Sequence, residues 1–92
     1  MIVNFYATFR VQAGVKSIEL ELPSGSTMLQ AVDAIIEKAP SLKSIWFDEK
    51  GEIQNYVYGF VNGVDVSTFL DGWETKLEPD DVLDFLPPVA GG

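Results

Sequence analysis

The stretch that decides the fold is Thr27-Met28-Leu29-Gln30-Ala31-Val32-Asp33-Ala34-Ile35-Ile36-Glu37-Lys38-Ala39-Pro40. Met28, Val32, Ile35, Ile36 and Ala39 recur at helical spacing, and Gln30, Asp33 and Glu37 fall on the far side. Thr27 and Gln30 have the spacing of a capping box, in which each side chain satisfies the other residue's orphan amide. Pro40 sets the end, because the residue before a proline is pushed out of the helical region. The result is an amphipathic helix of about three turns with one apolar face.

Strands are expected on both sides of it. Upstream, Val3, Phe5, Ala7, Phe9 and Val11 alternate with Asn4, Tyr6, Thr8 and Arg10, which reads as a strand with one buried face. Gln12-Ala13-Gly14 makes the turn, and Ile18, Leu20 and Leu22 alternate on a second strand, closing an antiparallel hairpin. Pro23-Ser24-Gly25-Ser26 stops it.

Downstream, residues 41–55 leave the reading open. Leu42, Ile45, Trp46 and Phe47 are too apolar for a free loop, and Asp48-Glu49-Lys50-Gly51 signals a turn. A strand is expected over 56–61, where Val57, Gly59 and Val61 share one parity and Phe60 the other. Asn62-Gly63 favours a type I′ turn, and 64–66 a short return strand. Asp71-Gly72 and Pro79-Asp80-Asp81 read as further turns. Residues 82–86 form the last strand, with Leu83 and Phe85 on the core side and Val82, Asp84 and Leu86 outward. The order is α+β: a mixed sheet of four to five strands with one main helix packed on one face.

Ninety-two residues fit a single domain over 1–92. No apolar run approaches the ~20 residues of a membrane helix, and the N-terminus shows no signal-peptide pattern, so the cytoplasm is the expected compartment. Cysteine and histidine are absent, which removes disulfides, thiolate nucleophiles, Cys-ligated metals and the commonest general base. No glycine-rich loop opens the helix, so phosphate cradling has no home. Fourteen acidic against six basic residues give a net charge of −8. A polyanion would be repelled, which argues against nucleic acid and for a protein partner with a basic docking surface. Asp80, Asp81 and Asp84 lack the spacing of a calcium loop and read as a solvated acidic rim, with no metal site expected. Trp46 and Trp73 read as satellite packing rather than as a binding platform.

Chemistry concentrates at Phe85-Leu86-Pro87-Pro88-Val89-Ala90-Gly91-Gly92. A terminal glycine pair arises by chance in roughly one chain in 200, which singles this one out. Pro87-Pro88 favours polyproline II, so residues 87–92 should leave the sheet as an extended tail, reaching roughly 19 Å at ~3.1 Å per residue. Gly91 and Gly92 lack a Cβ and can enter a channel that side chains would block. The reactive group on offer is the Gly92 α-carboxylate. A carboxylate is a poor electrophile until activated, so the tail calls for a partner that supplies ATP. The chain is then a substrate and not a catalyst.

The tail Pro87-Pro88-Val89-Ala90-Gly91-Gly92 resembles that of the MoaD/ThiS sulfur carriers, which are β-grasp, ubiquitin-like proteins. Phe5-Tyr6-Ala7-Thr8-Phe9-Arg10 resembles their first strand, Phe60-Val61-Asn62-Gly63 their strand-and-turn segment, and Thr75-x-Leu77-x-x-x-Asp81 their approach to the last strand. Phe47-Asp48-Glu49-x-Gly51-Glu52-Ile53, with Tyr56-Val57 after it, is similar to the longer archaeal-type MoaD and CysO-like members. Asp80 and Asp84 depart from the family pattern, standing where many members carry a glycine and a small or apolar residue.

The resemblance implies that a ubiquitin-activating-type enzyme adenylates Gly92 and that sulfur then replaces AMP, leaving a thiocarboxylate. In molybdopterin synthase the large subunit receives such a tail, and the sulfur goes to the pterin precursor. ATP and magnesium would be consumed on the partner enzyme, with no cofactor bound here. The same fold and tail also serve as a protein modifier joined to lysines, and as a sulfur donor for cysteine, thiamine or tRNA thiolation. Phe60, Asp84, Leu86, Pro87, Pro88, Val89 and Ala90 are the expected partner-binding residues. An aromatic amid a polar rim on the outer sheet face has the make-up of a binding hot spot.

Overall fold

The computed structural model describes residues 1–88. Five strands, β1 (Ile2–Phe5), β2 (Ser17–Glu19), β3 (Tyr58–Val61), β4 (Val64–Asp65) and β5 (Val82–Leu86), form one sheet in the order β2-β1-β5-β3-β4. The central pair β1 and β5 is parallel and the other three pairings are antiparallel. Three helices, α1 (Ala7–Ala13), α2 (Met28–Lys38) and α3 (Lys43–Trp46), accompany short 3₁₀ turns.

Helix α2 is the one read from the sequence. Thr27 Oγ1 accepts from the Gln30 amide at 3.2 Å, and Gln30 Oε1 accepts from the Thr27 amide at 2.8 Å. Met28, Ala31, Val32 and Ile35 are buried. They join Val3 and Phe5 of β1, Val61 of β3, and Leu83 and Phe85 of β5 in a common core. The strand alternation therefore sends Leu83, Phe85 and Val61 inward. Val82, Asp84, Leu86, Tyr58 and Phe60 lie on the opposite, outer face.

The first element corrects the expectation of a strand running to Val11. The strand stops at Phe5, and Ala7–Ala13 is helical. Ala7 takes φ +53°, a left-handed conformation that breaks the extended chain. Phe9 is buried against Trp46, whereas Ala7 and Val11 face solvent. Gly14, at φ +79°, caps the helix by donating its amide to the Arg10 carbonyl. The pair β1–β2 is antiparallel as expected, but a helix and not a tight turn joins it.

The other boundaries shift less. The strand expected over 56–61 begins at Tyr58, although Val57 still packs inward. The return strand ends at Asp65, because Asp65 Oδ1 accepts from the Ser67 amide and starts a 3₁₀ turn at Val66. Asn62 and Gly63 take φ +51° and +84°, the pair of positive values a type I′ turn requires.

Trp46 is central rather than satellite. It is fully buried, stacked 4.8 Å from the Phe85 ring and edge-on to Phe9 at 5.4 Å. Such aromatic pairs contribute about 0.5–1.5 kcal/mol each beyond buried area. Segment 40–53 exists to carry it: Pro40 opens a 3₁₀ turn, Leu42 and Trp46 go inward, and Asp48 Oδ1 accepts from the Lys50 and Glu52 amides to turn the chain back.

Candidate functional site

The tail begins where the central strand runs out. Tyr58 pairs with Leu86 at the end of the β3–β5 ladder, and Pro87 has no amide to continue it. On the other side Tyr6 donates its amide to the Phe85 carbonyl at 3.1 Å, which extends the β1–β5 pairing up to the same point. The chain thus leaves the sheet from a strand held along both edges. Of the six tail residues, Pro87 is half-buried and Pro88 exposed. Val89, Ala90, Gly91 and Gly92 lie outside the described residues.

Beside this exit lies an open groove of about 710 Å³. Phe60, Asp84, Leu86, Pro87 and Pro88, all expected from sequence to meet a partner, line it together. Tyr6, Ala7 and Thr8 complete it, and sequence reasoning did not assign them to it. Reading 3–11 as one strand hid them, since the turn at Ala7 is what folds this segment back beside the tail. The register explains the rest. Phe60 stands opposite Asp84 across β3–β5, and Asn4 stands beside Asp84 across β1–β5.

The acidic residues near the tail do not form one rim. Asp80 is exposed. Asp81 is engaged in the turn before β5, its Oδ2 accepting from the Glu78 amide at 2.8 Å and its Oδ1 from Asn62 Nδ2 at 2.9 Å. Asn62 Oδ1 in turn accepts from the Val82 amide at 2.9 Å, tying the hairpin to the start of β5. Asp84 belongs to the outer face, where its Oδ1 accepts from Asn4 Nδ2 at 2.9 Å and, more weakly, from the Tyr6 hydroxyl at 3.4 Å.

What this arrangement can do follows from its chemistry. Among the described residues, no group of three or more carboxylates is placed to hold a metal ion, and no helix is long and apolar enough to cross a membrane. The groove presents an apolar floor with one carboxylate beside a stiff exit. That is the make-up of a surface that another protein can cover.

A five-stranded mixed sheet with a parallel central pair and a helix across one face is the ubiquitin-like β-grasp fold. The ThiS family model matches residues 3–92, and the chain belongs to that family of small ubiquitin-like sulfur carriers of the ThiS/MoaD type. Small archaeal modifier protein 3 of Haloferax volcanii is 32% identical over 90 residues, spanning 98% of this chain and 96% of that protein. A Pyrococcus furiosus structure assigned as subunit 1 of a molybdopterin converting factor is 30% identical. It has a TM-score of 0.72 and covers 96% of this chain and 95% of its own. A chain of the BexX/CysO complex of Amycolatopsis orientalis is 28% identical with a TM-score of 0.79, covering 99% and 98%.

Proposed function

We propose that the Gly92 carboxylate is the working group of this protein. A ubiquitin-activating-type enzyme adenylates it, releasing pyrophosphate from ATP. Hydrosulfide then attacks the acyl carbon and expels AMP, leaving a thiocarboxylate. As the small subunit of molybdopterin synthase, the chain presents that sulfur in the large subunit's active site. The sulfur passes to a pterin precursor, and hydrolysis returns the carboxylate. ATP and magnesium are spent on the partner enzyme.

The observation that carries this reading is the groove at the tail's exit, where an apolar outer face adjoins a proline-stiffened segment leading to Gly91-Gly92. The similarity to a molybdopterin converting factor subunit supports sulfur delivery to a pterin. Similarity to a small archaeal modifier protein over nearly the full length favours a second use, conjugation of Gly92 to lysines. Both uses share the adenylation step.

The test is ATP–pyrophosphate exchange with the cognate adenylating enzyme, joined to intact mass of the protein from its own cells. Deleting Gly91-Gly92, or adding one residue after Gly92, is expected to abolish exchange. Stability should change by no more than about 0.5 kcal/mol, as for surface changes remote from special features. One oxygen exchanged for sulfur marks the carrier, and branched Gly-Gly remnants on lysines mark the modifier. Undiminished exchange by the extended chain refutes the reading.

A further inference from the structure

Asp84 is the one charged side chain among the described residues that line the groove. It sits in mid-strand on the outer face, flanked by Asn4 on β1 and Phe60 on β3. Both of its hydrogen bonds come from uncharged donors, Asn4 Nδ2 and the Tyr6 hydroxyl, and both go to Oδ1. Among the described residues no donor reaches Oδ2. A carboxylate whose only task is to keep an apolar face in solution needs no such anchoring. Here Asn4 holds the group from one side at 2.9 Å, with the Tyr6 hydroxyl only a weak second donor at 3.4 Å, and the second oxygen is left for whatever covers the groove.

An entirely apolar cover would strip that oxygen of water and give nothing back, which strongly disfavours the complex. We propose that the outer face selects a partner protein that inserts an arginine here, its guanidinium lying over the Phe60 ring and donating to Asp84 Oδ2. Phe60 and Asp84 are cross-strand neighbours, so their Cβ atoms lie about 5 Å apart. A cation within ~6 Å of the ring centroid can reach both. Guanidinium suits the site better than ammonium, because it is planar, weakly hydrated, stacks on aromatic faces and keeps its donors in the ring-parallel plane. The net charge of −8 draws such a partner in from a distance. Asp84 is therefore a specificity-determining residue: an activating enzyme with an apolar side chain at the facing position is rejected.

This deepens the proposed function and rests on the groove docking the enzyme that activates the tail. The experiment measures the KM of the carrier in ATP–pyrophosphate exchange with the adenylating enzyme of the same organism, for the parent, Asp84→Asn and Asp84→Leu. Asparagine keeps the size and the acceptor for Asn4. Its KM is expected to rise on the order of tenfold or more with kcat unchanged, as when one member of a buried charge pair is lost. Asp84→Leu should do no better, although it makes the face more apolar. A leucine variant that binds as well as the parent or more tightly overturns the proposal.

Chains lacking Gly91-Gly92 separate the two levels. They should inhibit the exchange reaction without being adenylated, and Asp84→Asn should weaken that inhibition by the same factor. Adenylation of the tail-less chain refutes the proposed function. Inhibition that is indifferent to Asp84→Asn refutes the arginine alone.

Discussion

Gly59 offers a sharp test of how the two faces of the sheet divide their work. It lies on the inner side of β3, opposite Phe85, in ordinary extended backbone, so space and not torsion decides what it tolerates. A Cβ built there would stand 2.9 Å from Trp73 Cη2, 3.1 Å from Trp73 Cζ3 and 3.1 Å from Met28 Cε. Something must move in Gly59→Ala. Met28 is fully buried on α2, whereas Trp73 is only half-buried in a 3₁₀ turn, so the indole is the side that yields. Overpacking of this kind costs about 1–3 kcal/mol. Alanine's smaller unfolded-state freedom returns about 0.4–1 kcal/mol. The expected net loss is about 1 kcal/mol, read in a denaturant melt, with a red shift of Trp73 emission as the ring tilts toward solvent. The KM for the activating enzyme should not change, because the outer face is untouched. A neutral or stabilising result would show that the β3–α2 packing is looser than these distances say. A raised KM in a protein of parental stability would place docking on the helix side.

The adjacent residue should behave in the opposite way. Phe60→Ala is expected to cost only about 1 kcal/mol of stability, since a half-buried ring forfeits part of the 1.5–3 kcal/mol of full burial. It should weaken docking by about 2 kcal/mol or more, as an aromatic hot spot does; a folding loss of 3–5 kcal/mol would put the ring in the core. Raising salt should slow association with the activating enzyme far more than it speeds dissociation, and salt-independent association kinetics would contradict electrostatic steering. Ala7→Gly should stabilise by about 0.5–1 kcal/mol, because glycine relieves the left-handed φ at the head of α1. Ordinary helix propensity gives the reverse sign, a loss of about 1 kcal/mol, so a thermal melt decides between them.

The β5 reading and helix α2 were legible because each has one period and clear punctuation. Leu83 and Phe85 can share a core only as a strand, Pro87 must end it, and Thr27, Gln30 and Pro40 bracket the helix. The opening segment was ambiguous in a physical sense. Phe5, Phe9 and Ala13 satisfy the i, i+4 spacing of a helix as well as the alternation of a strand, and Gly14 is as apt for a helix cap as for a turn. The kink at Ala7 decided it, and nothing in an alanine announces a positive φ. Trp46 was misplaced because its neighbours in space, Phe5, Phe9 and Phe85, are distant in sequence. The groove was legible in part. Strand parity put Phe60, Asp84 and Leu86 together, but Tyr6, Ala7 and Thr8 reach it only through the turn that the alternation concealed.

The position of β5 has a mechanical consequence. Strands β1 and β2 form one pair, β3 and β4 another, and β5 alone joins them. The strand that carries the tail is thus the keystone of the sheet. A pull on the tail loads the β1–β5 and β3–β5 ladders together, because β5 is paired along both edges. Without those ladders the sheet is left as two separate strand pairs, β2–β1 and β3–β4. A machine that pulls on such a tail therefore works directly against the two pairings that join the halves of the sheet.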